Sequence, residues 1–211
     1  MKLSNPVISF PLSKLRVVLR DIDHGLVQAW THHFAGLPNV EVDEGDIFRR
    51  SADALVSPAN SYGFMDGGID MAYTRRFGWE LSTLLQDVIH TEHDGELPVG
   101  QAVIVPTHDL DFPWLVSAPT MRVPMDVSAT PNAYLAFRAA LQAVRKHNAS
   151  EDQPIRSLLC PGLGTAIGQM HPDVCARQMR AAYDAVALGL APRFGRLWDA
   201  KNRHLQQVSE I

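Results

Sequence analysis

This sequence predicts an α/β fold in three layers, with helices on both faces of a mixed, mostly parallel central sheet. Three observations carry the prediction. Short apolar runs alternate with helical text along the chain. The 211 residues are 46% hydrophobic and 20% charged, which suffices for one sizeable core and excludes wholesale disorder. No repeat, low-complexity run or glycine–serine linker divides the chain. A single domain is therefore expected over residues 1–211, with a strand–helix extension at about 1–44 and a polar tail at about 190–211.

Residues 14–20 (KLRVVLR) are β-branched and aliphatic and read as a strand. Asp23 can cap a helix running to about Ala35, which Gly36 and Pro38 stop. Val40 and Val42 alternate with acidic residues, the pattern of a half-buried strand, and residues 45–47 turn. Residues 53–57 (DALVS) suit a central strand that Pro58 ends. After a glycine-rich loop, residues 69–77 and 79–93 form one broken helix or two. Two more strands are expected at 102–105 and 114–117, around a polar turn. Thr130 as cap and Pro131 at the first helical position open an amphipathic helix to about His147. Residues 155–160 (IRSLLC) are a buried strand, residues 161–168 a second glycine-rich loop, and Pro172 opens another helix. Residues 190–211 are weaker text that suits a terminal helix. The four dispersed tryptophans are expected in the core.

Charge and cysteines narrow the function classes. With 19 basic and 23 acidic residues the net charge is −4. That disfavours a sequence-independent nucleic-acid binder, although a local basic patch stays open. Cys160 and Cys175 are too few for a disulfide framework and match no zinc spacing, and the nine histidines form no metal-ligand pattern. No metal and no cofactor are expected. No run approaches the ~20 apolar residues of a membrane span. The start of the chain lacks the apolar core of a secretory signal, so a cytoplasmic location is expected.

In an α/β sheet, ligands gather where loops leave the carboxyl ends of the strands. Both glycine-rich loops directly follow expected buried strands, so both should lie on that edge. Gly67-Gly68 precedes helical text, where backbone N–H groups and the helix dipole favour an anion. Asn60 can donate and accept, and Asp70 falls in the first helical turn. Each feature alone has a plainer reading: a turn, a turn-stabilising amide, a helix cap. The second loop, CPGLGTAIG, has three glycines in seven residues but is neither a P-loop nor a G-x-G-x-x-G fingerprint. Two such loops on one edge suggest a diphosphate held from both sides. Cys160 reads as buried and inert, and Arg122 as a surface arginine.

The order GDI…DALVSPANSYGFMDGGID, then a strand ending in SAPTM, then PGLGTAIG resembles the macro domain, a family that binds ADP-ribose. The resemblance runs from about residue 45 to 186 and implies the following roles. Asp46, beside Ile47, takes the adenine amino group. Asn60 meets the distal ribose. Gly67, Gly68 and Ile69 line that ribose and the diphosphate. Asp70 matches the acidic residue with which hydrolytic members activate or orient a water. Gly162, Gly164, Thr165, Ala166, Ile167 and Gly168 wrap the diphosphate. The implied partner is ADP-ribose or an ADP-ribosylated protein. Hydrolytic relatives often carry a longer glycine run in the first loop and an aromatic residue in the second. Here the second loop has Ala166 and Ile167, leaving Tyr62 or Phe64 to supply a ring. No lysine lies between Lys14 and Lys146, which excludes the branch that uses a lysine nucleophile near the first loop. Two functions are therefore expected as alternatives: an ADP-ribosyl ester hydrolase, or a module that reads ADP-ribose without turnover.

Overall fold

The computed structural model describes residues 11–209. A 3₁₀ turn at Leu12–Lys14 leads into β1 (Arg16–Asp21), α1 (His24–His33) and β2 (Val40–Glu44). A second 3₁₀ turn at Ile47–Arg49 precedes β3 (Ala54–Ser57), α2 (Gly68–Phe77) and α3 (Trp79–Glu92). There follow β4 (Val103–Pro106), β5 (Trp114–Ser117), α4 (Asn132–Ser150), β6 (Ser157–Cys160), α5 (Pro172–Val186) and α6 (Leu197–Val208).

The six strands form one sheet in the order β2-β1-β6-β3-β5-β4. Every neighbouring pair is parallel except β4 with β5. All four residues of β3 are buried, as befits a strand covered on both faces. Its register with β6 is fixed outside the ladder, because the Asp53 carboxylate accepts the N–H groups of Arg156 and Ser157 at 2.8 Å each. The period of two splits the core. Val17, Leu19, Val56, Val116 and Leu158 pack with residues of α1, α4 and α5, while Val18, Leu55, Leu115 and Leu159 pack with those of α2 and α3. This is the expected three-layer architecture. Edge strand β2 is only half-buried and carries Glu41, paired with Arg16 and Arg50, a charged edge that discourages further strand pairing.

Several boundaries differ from the sequence reading. The ambiguous segment after the first loop is two helices, because Gly78 at φ +91° breaks the helical path. Pro131 is the residue before α4 rather than its first, while Thr130 Oγ1 does accept the Asn132 N–H at 3.3 Å. Trp30 is fully buried as expected, but Trp79 and Trp198 are 58% and 64% exposed, each in the first turn of its helix on a face turned to solvent.

Candidate functional site

Parallel strands β1, β6, β3 and β5 deliver their carboxyl ends to one edge, so the loops at 58–67 and 161–171 leave the same side of the molecule. The segment after β5 joins them. Asn60 forms a parallel bridge with Met121, and Ser61 N–H donates to the Arg122 carbonyl at 3.1 Å. At its other end Val127 N–H donates to the Gly168 carbonyl at 2.9 Å. Residues 121–127 thus form a third wall, of which the sequence reading singles out only the start, with Arg122 read as a surface arginine.

In the first loop the Asn60 side chain works on its own turn. Its Oδ1 accepts from Tyr62 N–H (3.1 Å) and Phe64 N–H (3.3 Å), and its Nδ2 donates to the Phe64 carbonyl (2.8 Å). One Nδ2 hydrogen remains for a ligand. Tyr62 lies under the Arg122 guanidinium, 5.7 Å from the ring centroid, and its hydroxyl meets Glu96. Phe64 is exposed.

Helix α2 then starts without a side-chain cap. Helices α1 and α5 begin on the same edge and are capped by Asp23 and His171, but position 67 is glycine and contributes no oxygen. A Cβ built on Gly67 would meet nothing within 4 Å, and the backbone there is extended. The fold itself does not require glycine at this position. What the glycine leaves is open space in front of unpaired N–H groups.

Asp70, in the first turn of α2, is buried. Ser57, the last residue of β3, donates its hydroxyl to Asp70 Oδ1 at 2.6 Å. Tyr73 one turn on donates to the Val56 carbonyl at 3.1 Å, and Thr74 donates to the Met65 carbonyl at 2.7 Å. These bonds fix α2 over the end of β3. Burial pushes the Asp70 carboxyl up to about 7, and the Ser57 hydroxyl opposes part of that rise.

The second loop is tighter. Gly162 N–H is spent on Asp21 Oδ2 at 2.9 Å, and a Cβ there would come within 2.6 Å of Leu26 and 2.5 Å of Thr165 Oγ1. A Cβ on Gly168 would meet the Gly164 carbonyl oxygen at 2.5 Å and Val127 at 2.6 Å. Packing therefore explains both glycines, and Gly162 does not offer its N–H to a ligand as expected. The rest of the loop does. Among the described residues, the N–H groups of 164–168 find no protein acceptor, while Ala166 and Ile167 are exposed. Such a run of free amides has the donor chemistry that suits an anion. Cys160, just below, is buried as expected, and that burial pushes its thiol well up, away from the thiolate form.

Asp46 is exposed beside the end of β1 and caps the 3₁₀ turn by accepting Phe48 N–H at 3.0 Å. The Ile47 side chain is buried against the α2–α3 core, so it can present only backbone to the edge. Ile69 is half-buried. The sequence reading missed Ser57 and Asp21. The alternation of β3 does put Ser57 on the face of Leu55, toward α2, but nothing in the text pairs it with Asp70. Asp21 ends β1 without any motif. Among the described residues no cluster of three or more metal-ligating side chains occurs.

A sequence profile of the Macro domain matches residues 56–179. The chain belongs to the macro domain family. The matched stretch of the macro domain contains both glycine-rich loops, the third wall and Asp70, whereas β1, α1 and β2 precede it. An uncharacterized protein of Aquifex aeolicus is 32% identical over 67% of this chain and 78% of its own. The macrodomain of Mycobacterium tuberculosis DarG superposes with a TM-score of 0.56 at 24% identity, over 68% of this chain and 88% of that one. An Oceanobacillus iheyensis macrodomain variant solved with ADPR gives 0.53 at 23% identity, over 65% and 73%.

Proposed function

We propose that this macro domain binds ADP-ribose across the loop edge and hydrolyses an ADP-ribosyl ester on a protein or a small ADP-ribose derivative. The observation that carries the reading is the pairing of an uncapped helix start at Gly67-Gly68 with the free N–H groups of 164–168, on adjacent parallel strands. Two sets of neutral donors at the ends of neighbouring strands suit a diphosphate. The ADPR in the Oceanobacillus macrodomain supports the ligand class. Asp46 takes the adenine amino group, Ile47 and Ile69 contribute backbone, and Thr165 flanks the diphosphate. Asn60 gives its remaining amide hydrogen to the distal ribose, over which exposed Phe64 supplies the ring that the second loop lacks.

In the reaction a water oxygen bonds to the anomeric carbon of the distal ribose. The bond from that carbon to the ester oxygen breaks, and the carboxylate leaves with the electron pair. Asp70 accepts the water's proton, which requires its ionised form. With its carboxyl near 7, turnover rises as pH passes upward through neutrality. A second reading, a module that binds without turnover, is favoured by the burial of Asp70 and its bond into the sheet.

Calorimetry with ADP-ribose beside an assay of ADP-ribose release from an auto-modified protein separates the two. The hydrolase predicts binding and release in wild type, and binding with release reduced at least about a hundredfold in Asp70→Asn. Gly67→Val should fold normally and bind ADP-ribose more weakly, because its side chain enters the open space before the helix N–H groups. Binding without release in wild type establishes the reader, and no binding removes both readings.

A further inference from the structure

We propose that Arg20 is the positioning residue that sets the base preference of this site, by fixing the turn that carries Asp46. The inference rests on Asp46 serving the adenine amino group.

Arg20 is the penultimate residue of β1 and only 8% exposed, although it lies at the strand end. The alternation of β1 points it to the same face as Val18, under the turn that follows β2. A buried guanidinium is stable only when its donors are paired, and here the pairs define an orientation. Its Nε donates to the Asp46 carbonyl at 2.9 Å. Its Nη1 pairs with Asp43, which Arg50 also approaches at 3.6 Å. The Asp46 carbonyl additionally accepts Arg49 N–H at 3.0 Å, so that peptide is clamped from two sides.

Gly45 is matched to this arrangement. Its φ is +133°, its N–H donates to the Asp21 carbonyl at 2.9 Å, and a Cβ would lie 2.6 Å from Arg20 Nη2. Glycine therefore lets the guanidinium lie directly against the turn. Asp46 spends Oδ1 on Phe48 N–H, leaving Oδ2 as the acceptor for a ligand. The direction in which Oδ2 points follows from the orientation of the Asp46 peptide, and Arg20 holds that peptide from the strand side. A lysine could keep the charge near Asp43 but could not reproduce the planar fork that also reaches the carbonyl.

The test compares ADP-ribose with inosine diphosphate ribose, in which a carbonyl oxygen replaces the amino group. Calorimetry on the full chain should give wild type about a tenfold preference for ADP-ribose, the worth of one hydrogen bond to a carboxylate. In Arg20→Met and in Arg20→Lys that ratio should fall below about threefold. A general loosening of the fold would weaken both ligands together and leave the ratio intact. Should Arg20→Met not fold, Arg20→Lys reads the same ratio. A folded variant that keeps the wild-type ratio overturns the role of Arg20 while leaving Asp46 as the base contact. Equal affinities for the two ligands in wild type overturn the Asp46 assignment and the inference with it. Absence of ADP-ribose binding in wild type rejects the proposed function itself.

Discussion

Asp70 shows how burial ties the protonation of one side chain to the stability of the fold. A carboxylate loses hydration when helix α2 buries it, and one serine hydroxyl returns only part of that loss. The folded-state value of about 7 lies above the ordinary 3.8, so the charged form is the disfavoured one in the folded state. The sign follows. Between pH ~4 and ~7 the unfolded chain releases this proton while the folded chain keeps it, and stability falls as pH rises. Above ~7 the full cost, of order 4 kcal/mol, is present. Asp70→Asn removes the ionisation and keeps the shape and the Ser57 contact. Denaturant melts at several pH values should therefore show the variant's advantage over wild type growing from pH 4 to about 7.5 and then levelling off. A difference independent of pH would mean that Asp70 stays charged in the folded protein. A buried carboxyl that destabilises the fold where it is ionised fits the proposed role of Asp70 as the base of the reaction, because perturbed carboxyls of this kind cluster at functional sites.

At the scale of elements, the two glycine-rich loops look alike in sequence and differ in what their glycines do. Gly67 faces open space, while Gly162 and Gly168 face Leu26, Val127 and backbone. Glycine content could place both loops on the carboxyl edge, because strand order and strand–loop adjacency are written in apolar runs and in Gly and Pro. It could not sort glycines that clear a ligand from glycines that clear the protein, since that depends on which remote side chains arrive. The same limit hid Ser57 and Arg20, whose partners Asp70 and Asp46 lie 13 and 26 residues away. Asn60 was legible as a polar residue at a strand end, and its turn-stabilising role was the plainer of its two readings. Asp21 is the element-level hinge of the second loop: its Oδ2 holds Gly162 N–H at 2.9 Å, and its Oδ1 accepts Asp23 N–H at 3.1 Å at the entry to α1. Asp21→Ala strands a part-buried amide and should cost about 1–3 kcal/mol in denaturant unfolding. Loss of stability below about 0.5 kcal/mol would show that the loop is held by its packing alone.

The whole molecule sets the long-range field around the loop edge. A net charge of −4 repels a diphosphate, and two cations beside the loop edge are paired, Arg20 with Asp43 and Arg122 with Glu96 at 2.7 Å. The nearest lysines in sequence, Lys14 and Lys146, lie outside both loops. In the proposed site affinity for an anion comes from short-range amide donors, which act within a hydrogen-bond length and are scarcely screened by salt. The unfavourable long-range field is screened, with a Debye length falling from about 14 Å at 50 mM to about 4 Å at 500 mM. The two effects predict a sign opposite to that of a lysine- or arginine-lined phosphate site, where added salt weakens binding. Titrating ADP-ribose across that range should leave Kd within about threefold, with any drift toward tighter binding at high salt. A tenfold weakening would instead mean that unpaired cations do the holding, and would move the anion site away from the main-chain amides of residues 67–70 and 164–168.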